Sequence, residues 1–66
     1  MHGKMAMDAV SAQLTTQQQL EACRKANISI HKIRQVINGD AMDGKDATKF
    51  ADAAGVSLAT LGKRDL

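Results

Sequence analysis

The chain has 66 residues, 44% of them hydrophobic, with no proline, a single aromatic (Phe50) and a formal net charge of +2. At this length folding buries only about 60% of the surface an unfolded chain exposes, which excludes a roomy catalytic pocket and calls for closely packed helices or a partner subunit. Cys23 is the only cysteine, which excludes a disulfide framework and a Cys-plus-His zinc pattern; a reducing compartment and a thiol acting as a small buried hydrophobe are expected.

The apolar runs are only a few residues long, so no segment is expected to span a bilayer, and the N-terminus lacks the apolar core of a signal peptide. A cytoplasmic protein without a membrane partner follows as the expectation. Abundant alanine without proline favours helix and argues against sheet.

In chain order, the spacing predicts a first helix over Met5–Leu14, with Met7, Val10 and Leu14 on one stripe. Thr16-Gln17-Gln18-Gln19 fits a capping box, in which the Thr16 hydroxyl accepts from an early amide and Gln19 reaches back. A second helix then runs to about Ala26, with Leu20, Cys23 and Ala26 facing inward. Asn27 tolerates the left-handed region and ends that helix, and Ser29 caps the next. Ala54-Gly55-Val56-Ser57 repeats this turn chemistry further on.

Winding Ser29 to Asn38 at about 100° per residue places Ile30, Ile33, Val36 and Ile37 within an arc of roughly 120°. His31, Lys32, Arg34, Gln35 and Asn38 fill the opposite side. Each of those side chains donates hydrogen bonds and none is acidic, which suits phosphates and base edges. A plain amphipathic surface helix is the other reading of the same stretch. Gly39 stops this third helix, and Asp40 to Lys45 reads as a polar connection. A fourth helix is expected over about Asp46 to Ala54, with Ala47, Phe50, Ala51 and Ala54 inward, and a short fifth from Leu58 to about Leu61. Residues 1–66 then form one all-α domain, a compact five-helix bundle.

Charge is unevenly spread. Residues 15 to 39 carry Arg24, Lys25, Lys32 and Arg34 against Glu21, leaving +3, whereas residues 40 to 66 carry five aspartates against four basic residues, leaving −1. The positive field gathers around the third helix, as binding of a polyanion requires.

Other constellations fail on chemistry. With Gly44 at the sixth position of a calcium loop, the first and third positions fall on Gly39 and Ala41, so Asp43 and Asp46 alone cannot make the cage. Ser29 and His31 lie two apart at a helix start and point in different directions, which defeats a nucleophile and base pairing. His2 and His31 have no metal-ligand partners at useful spacing. No glycine-rich phosphate loop occurs, and neither an enzyme nor a cofactor, metal or small-molecule substrate is expected.

Gln19 to Gly39 resembles the helix-turn-helix of the lambdoid phage repressor and Cro proteins and the wider Xre-like regulators, through Asn27-Ile28-Ser29, Ile33, Val36 and the closing Asn38-Gly39. Lys49 to Leu61, with Gly55-Val56-Ser57-Leu58, resembles that family's fourth helix, turn and fifth helix. Asn27 stands where the family usually has glycine, and Ala22 and Ala26 stand where bulkier aliphatics are common. The resemblance implies a lambda-repressor-like domain that binds a double-stranded DNA operator, usually as a homodimer, with the third helix in the major groove. It implies Ile30, His31, Lys32 and Gln35 at bases or the groove wall, and Gln19, Arg34 and Asn38 at phosphates. Ile30 lies at the edge of the apolar arc, where either a thymine methyl or the core is its partner. Dimerisation would rest on residues around Leu58, Leu61 and Leu66. The expectation is a transcriptional regulator, either a minimal Cro-like protein or an excised N-terminal domain. A small protein-interaction module, such as an antitoxin or adaptor, is the alternative.

Overall fold

Alternation, not helical periodicity, governs the start of the chain. Met5 and Met7 are buried while Lys4, Ala6 and Asp8 are exposed, the period of two expected of a half-buried strand. In the computed structural model, which describes residues 4–64, Lys4–Ala6 forms strand β1. It is the middle strand of a three-stranded antiparallel sheet, flanked by β2 (Ala41–Asp43) and β3 (Lys63–Arg64). The register sets Met5 opposite Met42 and Lys4 opposite Asp43. Both methionines face the core and the oppositely charged pair faces outward, an arrangement that favours this register over a one-residue slip.

The protein is therefore mostly helical with a small sheet, not all-α. Two expectations change with it. The first helix contracts from Met5–Leu14 to α1 (Val10–Gln13), and the polar connection 40–45 contains β2, whose Met42 is completely buried. The reason is non-local: β1 is stabilised by strands far along the chain, Met5 pairing with Met42 on one side and with Arg64 on the other, and local periodicity carries no trace of such pairing.

Helix α2 (Thr16–Ala26) begins one residue earlier than the sequence pattern suggests. Thr15 is the N-cap; the Gln18 amide donates to Thr15 Oγ1 at 3.2 Å and the Thr15 amide donates to Gln18 Oε1 at 2.8 Å. The capping box is real, but it is Thr15 with Gln18 and not Thr16 with Gln19. Gln19, Ala22 and Cys23 face inward and Leu20 is 45% exposed, which corrects the inward assignment of Leu20. Asn27 ends α2 in the left-handed conformation (φ 58°), and the Ile28 amide donates to the Cys23 carbonyl at 2.9 Å. That is the turn chemistry expected of Asn at this position.

Helix α3 (Ile30–Ile37) starts at Ser29, whose Oγ accepts from the His31 amide at 3.2 Å. Gly39, at φ 118°, turns the chain from α3 toward β2. Helix α4 (Gly44–Ala54) ends at Gly55 in the left-handed conformation (φ 75°), with the Val56 amide donating to the Ala51 carbonyl at 3.2 Å. Helix α5 (Leu58–Leu61) follows as expected. Ser57 does not cap it through its side chain; its Oγ lies 3.3 Å from Thr60 Oγ1 instead.

One core joins these elements. Phe50, Met7, Ile33, Met42, Leu61 and Val10 are its largest fully buried side chains. Helices α2 and α4 make the most extensive helix pair, and both carry small buried residues, Ala22 and Cys23 on α2 and Ala47 and Ala51 on α4, which suit a close approach of backbones. Their reduced volume is offset by Phe50 and by the methionines of the sheet, whose flexible side chains fill irregular space. At the far end, the Ala9 amide donates to the Leu61 carbonyl at 2.9 Å, tying the start of α1 to the end of α5. Leu61 is wholly buried, so it is a core residue and not part of a dimer surface. Leu66 and His2 lie outside the described residues.

Candidate functional site

The short turn Asn27-Ile28-Ser29 holds α3 against α2 through its inner residues. Ile33 and Val36 are buried, and Ile28 and Ile30 are half-buried against the core. Anchoring two residues three apart fixes the rotation of a short helix, because both must stay on the inward side. The remaining residues are thereby presented to solvent in a set direction.

Three of them, His31, Arg34 and Gln35, are exposed within an arc of about 100° at 3.6 residues per turn. Asn38, the exposed C-cap of α3, continues the same surface. These four side chains supply hydrogen-bond donors and one fixed positive charge, with no carboxylate among them. Ile37, 37% exposed, borders the surface on its apolar side. Ile30 packs against the core cluster, so it faces the interior at least in part.

Two of the expected site residues stand elsewhere. Gln19 is 8% exposed and its Nε2 donates to the Leu14 carbonyl at 3.0 Å, a structural task that takes it off the accessible surface. Lys32 projects from the flank of α3, and its Nζ lies 3.0 Å from Asp46 Oδ2 in the first turn of α4. Asp46 is the neighbour that sequence reasoning missed. It lies 14 residues from Lys32, and nothing local signals that α4 begins beside α3. The charge asymmetry read from the sequence is correspondingly smaller at α3 itself, because one of its two cations is already matched. Arg24 and Lys25, exposed in the last turn of α2, oppose the negative end of that helix's dipole.

The remaining groups have structural explanations. Ser29 Oγ is engaged by the His31 backbone, so Ser29 acts as a helix cap. Burial pushes the Cys23 thiol above its ordinary pKa of 9.0, which keeps it protonated and weakly nucleophilic. Among the described residues no group of three His, Cys, Asp or Glu side chains comes together to hold a metal ion, and no helix is long and apolar enough to cross a membrane. Two shallow depressions lie away from α3, one of about 400 Å³ bordered by Lys25, Lys49 and Asp52, the other of about 420 Å³ bordered by Leu20, Glu21 and Arg24.

No known family model, curated protein or solved structure matches the chain.

Proposed function

We propose that this chain is a sequence-specific DNA-binding regulator of transcription in which α2, the Asn27 turn and α3 act as a helix-turn-helix of the Cro and repressor type. Helix α3 enters the major groove of an operator. The observation that carries this reading is the exposed, acid-free face of α3, with His31, Arg34, Gln35 and Asn38 held outward by the buried Ile33 and Val36. Gln35, in mid-helix, pairs bidentately with an adenine edge; His31, near the helix start, faces the groove; Arg34 and Asn38 grip the backbone. A helix of eight residues spans about 12 Å and reads only a few base pairs, so a homodimer on a roughly palindromic operator completes the site. The protein works in the cytoplasm, without catalysis or cofactor.

Selection of bound sites from random duplex DNA tests the proposal. An enriched, roughly palindromic motif with half-sites about 34 Å apart is the expected result, with affinity falling steeply as salt is added. A second reading, a helical protein-interaction module, draws on the exposure of Leu20 beside an open depression. No enriched motif and salt-indifferent retention would favour it.

A further inference from the structure

We infer that Asp46 belongs to the DNA-facing surface and attenuates polyanion binding by neutralising Lys32. The inference rests on the DNA-binding reading above. Lys32 carries one of the two formal positive charges of α3, and by sequence it is a candidate reader of bases. Its ammonium instead stands 3.0 Å from Asp46 Oδ2, the one ion pair formed among the described residues.

Both partners lie at the surface, with Lys32 49% and Asp46 27% exposed in their side chains. A polyanion approaching α3 therefore meets the pair and not an isolated cation. Asp46 occupies the first turn of α4, at the positive end of that helix's dipole. The element that presents this acid also presents Lys45, one residue earlier, and Lys49, one turn later.

The consequence follows from counting charges. Each phosphate neutralised by a protein cation releases condensed counterions and adds about 0.9 to the slope of log affinity against log salt. If Lys32 turns toward a phosphate, it leaves Asp46 unpaired within the negative field of the duplex. If it stays with Asp46, it releases nothing. Either way the pair contributes no net positive charge, and the backbone attraction of α3 falls to Arg34. Lys32 is then a counter-charge to Asp46 and not a base reader.

The test uses the full chain and a random-sequence duplex of roughly two helical turns, with binding measured over a range of salt concentrations. The variants are Asp46→Asn, Lys32→Ala and the double substitution. A surface pair contributes little to folding, and a thermal unfolding curve for each variant verifies that it is folded. Asp46→Asn frees Lys32 and is expected to bind on the order of tenfold more tightly near 0.1 M salt, with a slope steeper by about 0.9. Lys32→Ala is expected to bind more weakly than the parent. The double variant, neutral at this position like the parent, is expected to match it in both affinity and slope.

If Asp46→Asn binds like the parent chain, or if the double variant is as weak as Lys32→Ala, the inference is overturned, because Lys32 then grips DNA independently of Asp46. A parent chain with no salt-dependent retention on the duplex overturns the DNA-binding reading and the inference together. A parent that binds normally while Asp46→Asn changes nothing overturns the inference alone.

Discussion

Gln19 reaches back from the first turns of α2 to the end of α1, its Nε2 donating to the Leu14 carbonyl at 3.0 Å in a buried setting. The two helices are thus joined by a side-chain hydrogen bond where the connecting chain is only Leu14 and Thr15. Removing the donor leaves a buried carbonyl without this partner, which costs about 1–3 kcal/mol. Gln19→Ala is expected to lower the denaturant midpoint accordingly while leaving the affinity of the folded protein for DNA unchanged. A variant of unaltered stability and reduced DNA affinity would return Gln19 to the phosphate-contacting role its position in the chain first implies.

The capping register gives a second expectation. Thr15 accepts the Gln18 amide, whereas Thr16 is the first helical residue and caps nothing. Thr15→Ala is expected to destabilise the protein by about 1 kcal/mol and Thr16→Ala by only a few tenths. Comparison of the two unfolding midpoints decides between the registers, since the reverse order would support the box at Thr16 and Gln19.

Gly62 has no room for a side chain. A Cβ there would collide with the Ala6 carbonyl oxygen and stand 2.7 Å from Met7 Cα, both backbone atoms of the segment that continues β1. Relief requires β1 to shift from the chain leading into β3, so Gly62→Ala is expected to cost about 1–3 kcal/mol. Gly62 is extended (φ −176°), so the cost is steric and not conformational. Hydrogen exchange of the Met5 and Ala6 amides should accelerate in this variant more than that of α2. Equal protection in both elements would show that the sheet is not where the strain falls.

The proposed division of labour on α3 is separable by mutation. Gln35→Ala is expected to cost about 1–3 kcal/mol on the selected operator and to relax preference at one base pair. Asn38→Ala is expected to weaken operator and random duplex by similar factors, as loss of a backbone contact does. Titrations of both variants on both duplexes at one salt concentration make the comparison. Equal losses for Gln35→Ala on operator and random DNA would mean that helix α3 does not read bases through this residue.

Cys23 links stability to alkaline pH. Burial raises its thiol above the ordinary value of 9.0, so the unfolded chain loses this proton first as pH climbs. The associated stabilisation is complete below about pH 9 and is lost as pH rises through the higher folded-state value. The stability difference between the parent and Cys23→Ala should therefore move against the parent between pH 7 and pH 10. A difference that stays constant over this range would show that the thiol titrates alike in both states. Alkylation of Cys23 in the folded protein at neutral pH is expected to be slow for the same reason.

Local chemistry made much of this protein legible from the sequence. Asn27, Ser29 and Gly55 act through φ angles and hydrogen bonds to residues no more than five positions away, and the turns they predict are present. Helix α3 and its exposed side were readable because a period of 3.6 depends only on neighbours along the chain. The repeated Thr-Thr-Gln-Gln-Gln stretch was ambiguous, since two capping registers satisfy the same local rule; the fold has Thr15 as the cap, buries Gln19 and exposes Leu20. The sheet and the Lys32–Asp46 pair were not readable at all. Met5 meets Met42, and Lys32 meets Asp46, only after the chain has closed over intervening helices. Pairings of that kind depend on the loop closure and burial of the whole fold, not on the propensity of any segment. Chemistry between chain neighbours sets α2 to α5, the Asn27 and Gly55 turns and the acid-free face of α3; long-range packing sets the extent of α1, the sheet, and which polar side chains stay available on that face.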